Sequence, residues 1–141
     1  MLNWLKDLFQ PILVTDPVLG PVRYLRDTRT WEGWIDFSPV GYRVEVLLGG
    51  GPSQVPEPHR SFLQDLARRY SSIEPQLVAM LTECAAAEGS HVPLHFQLVA
   101  IDLPEASEHL TWELCFETNP PSSFFVVAMD QFSPVGVSVE C

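Results

Sequence analysis

Apolar and polar side chains alternate along two neighbouring stretches in the first third of the chain. Trp31, Gly33, Ile35 and Phe37 alternate with Glu32, Trp34 and Asp36, and Tyr42, Val44, Val46 and Leu48 alternate with Arg43, Glu45 and Leu47. A period of two is that of a strand with one buried face. If the two strands pair antiparallel, their apolar sets must meet. That aligns Phe37 with Tyr42, Ile35 with Val44, Gly33 with Val46 and Trp31 with Leu48. The loop between them is then Ser38–Gly41, with Ser, Pro and Gly at the first, second and fourth places of a type I turn. Pro39 bars the positive φ of a primed two-residue turn, which supports the longer loop.

The pentapeptide at that turn, Phe37–Gly41, recurs as Phe132–Gly136. The same rule predicts a second hairpin that pairs Phe132 with Val137, turns Val139 and Cys141 inward and leaves Ser138 and Glu140 outside. This register also turns Asp130 inward, opposite Val139. Either a bulge near Gln131 rotates it out, or Asp130 is a buried carboxylate and the anchor of a pocket.

Between the two copies the period changes. Phe62, Leu63, Leu66, Ala67 and Tyr70 form one helical stripe, predicting a helix from about Glu57 to Tyr70. A second helix is predicted from Ser72, whose capping places Pro75 where no intrahelical bond is lost, through Leu77, Val78, Leu81, Cys84 and Ala85 to Gly89. Further strands are predicted at Val22–Leu25, His95–Leu103, Leu110–Glu117, Phe124–Phe132 and Val137–Cys141. Trp4, Leu5, Leu8, Phe9 and Ile12 fall at helical spacing and predict a short amphipathic helix over residues 1–12. The expected fold is a single α+β domain, 1–141: a twisted, mostly antiparallel sheet of six to seven strands with two central helices on one face.

Charge adds a second asymmetry. All eight Lys and Arg residues lie at or before Arg69, where eight acids balance them; residues 70–141 carry ten acids and no Lys or Arg, and so account for the net charge of −10. Nucleic acid is a poor partner for such a chain, since phosphate contacts need basic side chains. A basic protein is a better one. No apolar run reaches the 18 residues of a membrane span, and the N-terminus lacks the pattern of a secretory signal. Cys84, Cys115 and Cys141 are too widely spaced for a disulfide framework or a zinc site, which fits a reducing cytoplasm.

Motifs for chemistry are sparse. Gly49–Gly51 precede a helix but lack the Lys and Ser/Thr of a phosphate loop. Pro93 separates His91 from His95 and prevents the helical face of a metal site. No catalytic residue, metal or cofactor is assigned. The outward face of the sheet is the better candidate: it gathers Glu32, Trp34, Glu45, Glu113, Glu117 and Glu140, together with Asp36, Leu47 and Cys115. In a single-layer sheet Phe125, Val127 and Met129 join them. An aromatic-bearing patch rimmed by carboxylates suits a basic protein partner. A homodimer contact over the same face, or a small-molecule pocket between helices and sheet, would be the alternatives.

Asp16-Pro17-Val18-Leu19-Gly20, the Val22–Tyr24 strand and Trp31-Glu32-Gly33 resemble the opening of an uncharacterised bacterial domain family, loosely similar to the immunity proteins of toxin systems. The resemblance spans roughly the first half of the chain, through the helix at Phe62–Tyr70. It implies a bacterial, cytoplasmic, non-enzymatic protein. It carries no catalytic residue.

Overall fold

The computed structural model describes residues 12–89, 95–105, 111–119 and 123–140. Four strands come first: β1 (Ile12–Asp16), β2 (Gly20–Leu25), β3 (Thr30–Phe37) and β4 (Tyr42–Gly49). A helix, α1 (Glu57–Ala87), separates them from β5 (His95–Leu103), β6 (Thr111–Asn119), β7 (Phe124–Asp130) and β8 (Ser133–Glu140). The strands form one sheet in sequential order. Adjacent strands are antiparallel except β4 and β5, and that parallel junction requires the crossover that α1 provides.

Two expectations are corrected here. The sheet has eight strands instead of six or seven, and among the described residues one helix replaces the two expected. Pro75 lies inside α1. It occupies the solvent side together with exposed Ser71, Ser72, Glu74 and Gln76, so the carbonyl of Ser71, deprived of its usual donor, faces water. On the opposite side the buried stripe His59, Leu63, Leu66, Tyr70, Ile73, Leu77, Leu81 and Ala85 runs through the proline without a gap. Burial of that stripe outweighs the ~3 kcal/mol that an interior proline costs a helix. The additional strand is β1, an edge strand that opens at Ile12. The rest of the expected N-terminal helix, residues 1–11, lies outside the described residues, as does Leu110.

The sheet is strongly curled. A flat eight-stranded sheet would hold its outermost strands ~34 Å apart, at ~4.8 Å per strand. Yet Asp16, at the end of β1, bonds Arg60 through Oδ1 at 2.8 Å (Nε) and 2.6 Å (Nη2). Phe132, in the turn leading into β8, stacks on Phe62 with ring centroids 5.1 Å apart and planes within 6°. Arg60 and Phe62 are ~3 Å apart along the helix axis. Both edges of the sheet therefore close on the same turn of α1, which lies in the concave face. That face supplies the core, including Trp31, Phe37, Val44, Leu48, Ile101, Trp112, Leu114 and Val127.

The first hairpin has the expected register, with Phe37 opposite Tyr42 through Trp31 opposite Leu48. Its turn begins one residue early: the N–H groups of Val40 and Gly41 both donate to Phe37 O at 3.1 Å. The second copy of the pentapeptide folds differently. Asp130 pairs with Ser133 across Gln131 and Phe132, so Ser133–Gly136 lie within β8 and form no loop. Gln131 takes φ +53°, and its carbonyl accepts a 2.6 Å hydrogen bond from Trp112 Nε1. Phe132 is thereby delivered to α1, where Arg69 also covers its ring at 4.5 Å. The register slips by one residue at Val135, between the Ala128–Gly136 and Met129–Pro134 pairs. The consequence for Asp130 is plain: it is exposed, so the buried-anchor reading is withdrawn.

Asp16 is the electrostatic tie between β1 and α1. Its Oδ2 also accepts the N–H groups of Val18 at 2.9 Å and Leu19 at 3.0 Å. Burial alone would raise its pKa, but the Arg60 guanidinium and these two N–H groups outweigh that and hold the carboxyl below its ordinary value. The side chains of Asp16 and Arg60 are 2 % and 13 % exposed, whereas those of Asp36 and Arg43 are 91 % and 65 % exposed. Asp16→Ala should therefore lower the unfolding free energy in urea by about 3 kcal/mol. Asp36→Ala should change it by less than about 1 kcal/mol. Equal effects would contradict this assignment.

Candidate functional site: the acidic convex face

α1 occupies the concave side, and no element among the described residues covers the other face of the sheet. Cross-strand register lays out its contents. One row runs Trp34, Glu45, Ala100, Cys115, Val126, Ser138; the next runs Glu32, Leu47, Asp102, Glu113, Ala128, Gly136. A third brings Glu117 and Glu140 to either side of Phe124. Trp34 and Phe124 are 48 % and 46 % exposed, so two aromatic rings stand in solvent on an otherwise acidic face.

The expected residues meet this geometry in different ways. Trp34, Glu45, Glu113, Glu117 and Glu140 share the face as anticipated. Glu32 is there too, but its Oε1 accepts two bonds from Arg23, at 3.0 Å from Nε and 2.7 Å from Nη2. Phe125, Val127 and Met129 are not on the face; they point into the core, and Val126 and Ala128 take the outward positions. Asp102 and Phe124 are additions. Asp102 reaches the face because Val99 is an extra residue between the Leu98–Phe116 and Ala100–Cys115 pairs. Strict alternation from buried Leu98 would have turned Asp102 into the core.

The carboxylates are crowded. Glu45, Asp102, Glu113, Glu117 and Glu140 have no ion-pair partner among the described residues, and strands β5–β8 contain no Lys or Arg. Partial burial raises the Asp102 carboxyl. Burial and then the charges of Asp102 and Glu140 raise that of Glu113; burial and the charge of Glu32 raise that of Glu45 against the pull of Arg23. Cys115 reports the sum. Burial, with Asp102, Glu113, Glu140 and Glu45 around it, pushes its thiol up to about 11. Such a cysteine stays protonated and is a poor nucleophile.

Beside this field a groove of about 470 Å³ runs between β1 and β3. Leu13, Val14, Pro21 and Trp34 wall it, with the Arg23–Glu32 pair between them. Leu13 is 76 % exposed, the largest exposure among the bulky apolar side chains of the described residues.

Other candidates resolve into structure. In the glycine loop both kinds of backbone group are engaged: Tyr24 donates to Gly50 O at 2.8 Å, Trp31 Nε1 to Gly51 O at 3.0 Å, buried His59 holds Nε2 2.9 Å from Gly49 O, and the Gly50 N–H donates to Arg29 O at 3.0 Å. A Cβ on Gly49 would lie 2.5 Å from the Glu105 nitrogen, which accounts for glycine there. His91 lies outside the described residues, and no metal-competent cluster occurs among those described. No described helix is long and apolar enough to cross a membrane.

No protein-family model, curated protein or solved structure matches this chain.

Raised carboxyl pKa values carry a pH signature. A carboxyl that binds its proton more tightly when folded destabilises the fold as pH rises from the unfolded-state pKa through the higher folded-state one. The double variant Asp102→Asn/Glu113→Gln should therefore have a higher urea midpoint than the parent at about pH 7. The gain should vanish at about pH 3, below the ordinary carboxyl pKa of ~4. A gain of equal size at both pH values, or a loss at about pH 7, would contradict the crowding.

Proposed function

We propose that this protein is a non-catalytic binding domain whose convex sheet face takes a basic segment of a partner protein. The observation that carries this reading is a group of carboxylates without ion-pair partners among the described residues, Glu45, Asp102, Glu113, Glu117 and Glu140, on a face that also exposes the rings of Trp34 and Phe124. Cations from a partner would offset the like-charge repulsion that adds to burial in raising Glu45 and Glu113, so binding and discharge of the face are one event. Trp34 and Phe124 offer ring faces for Arg or Lys, and the Leu13–Trp34 groove offers an apolar anchor point next to the charge. A second copy of this chain is a poorer occupant, because an isologous contact would set carboxylates against carboxylates.

The resemblance of the N-terminal third gives the proposal a biological form. The protein would act in a bacterial cytoplasm, neutralising a basic toxin-like partner in the manner of an immunity protein or escorting one as an adaptor. A random peptide library displayed against the immobilised protein tests the surface itself. Enriched peptides should be rich in Lys and Arg and should carry an apolar residue. Their affinity should fall with added salt and drop at least about tenfold with Trp34→Ala and with Glu113→Lys, with no fall in the urea midpoint of either variant. Enrichment without basic residues, or affinities unmoved by both substitutions, would overturn the proposal.

A further inference from the structure

A second opening lies on the other side of the sheet, where the C-terminal half of α1 diverges from the first hairpin turn. It is a cleft of about 250 Å³ between the helix and β4–β6, bounded at one end by Pro39 and Val40. Its floor is apolar: Leu77, Leu81, Leu98 and Phe116, all buried core residues. Its polar groups are the phenols of Tyr42 and Tyr70, the exposed imidazole of His95 and the carboxylate of Glu74, one helical turn beyond Tyr70 and the one acid that lines it. Neither Lys nor Arg lines it.

We propose that this cleft binds a small organic cation, an ammonium group on a compact apolar or aromatic body. The body would sit on the leucine and phenylalanine floor, and the ammonium would face Glu74 and the two phenol oxygens at the mouth.

Three features fix the chemical class. First, the volume falls below the ~300 Å³ at which drug-sized sites begin, so the occupant is small. Second, the mouth rejects anions. Burial raises both tyrosine hydroxyls, with the negative charge of Glu74 adding to the effect, so the phenols stay neutral and Glu74 supplies the negative charge at the mouth. Third, the rings of Tyr42 and Tyr70 both line the cleft. Tyr70 is held edge-on to Phe37, ring centroids 5.3 Å apart at 85°. Two aromatic rings, that of Tyr70 held by Phe37, and one carboxylate around an apolar hollow form the kind of site in which ammonium groups are recognised. Val78, 46 % exposed on α1 at the rim, would be covered by the occupant. This site shares no residue with the convex face and stands or falls apart from it.

The probe is phenethylamine, with 3-phenylpropionate as its anionic counterpart, titrated into the ¹⁵N-labelled protein. Phenethylamine should shift the amides of Tyr42, Tyr70 and Leu98 saturably, with a Kd in about the millimolar range or tighter, as suits a ligand of its size. Glu74→Gln should weaken it about tenfold, the worth of one charge-assisted contact, and Glu74→Lys should reverse the preference toward the carboxylate. Glu74 is exposed, so neither variant should disturb folding. Absence of saturable shifts at these amides, equal binding of the carboxylate by the parent protein, or affinity unmoved by Glu74→Gln would each overturn the proposal.

Discussion

The structure depends on the burial of one helical stripe in a sheet that must curl to cover it. A helix with apolar residues from His59 to Ala85 presents too long and too broad a face for a flat sheet to enclose from one side. The eight strands solve this by bending until β1 and β8 both reach the N-terminal half of α1, one through the Asp16–Arg60 ion pair and the other through the Phe62–Phe132 stack. The two contacts differ in kind. The first is directional and desolvated, and it fixes where β1 ends; the second is dispersive and fixes the turn before β8.

Curling divides the labour of the two sheet faces. The concave face carries the large buried side chains and holds the fold. The convex face is relieved of packing and can collect groups that a core would not tolerate. Five carboxylates in one field, with no ion-pair partner among the described residues, is a destabilising arrangement, and the helix side of the sheet has the apolar burial to offset it. The Arg residues of the N-terminal half relieve the field only in part: Arg23, paired with Glu32, also draws on Glu45, while Arg60 is committed to Asp16 and Glu57. A surface that retains such repulsion is open to discharge by an outside cation, which is the physical basis of the binding role proposed for it.

How much of this could be read from the residues depends on how local the deciding contact is. The first hairpin was legible because alternation on both sides of Ser38–Gly41 admits one register. The convex placement of Trp34 and Glu45 followed from it. The second Phe-Ser-Pro-Val-Gly copy misled because its conformation is decided by Trp112, whose indole takes the Gln131 carbonyl and moves the turn upstream. Pro75 with Ser72 before it spelled a helix break, while the unbroken sequence Tyr70, Ile73, Leu77, Leu81 spelled continuity; tertiary burial favoured the second. Asp102 was hidden by a bulge at Val99 that no local pattern marks, and β1 by side chains that are mostly exposed on an edge strand and so show no alternation.

Both sheet edges close on α1, and no described element covers the convex face. A distance between spin labels at Val18 and Ser133, exposed positions close to Asp16 and Phe132, measures the closure directly. The curled sheet predicts a separation well short of the ~34 Å that seven strand spacings span in a flat sheet. A separation at or beyond that value would contradict the curled sheet and, with it, the division of the molecule into a packed face and a binding face.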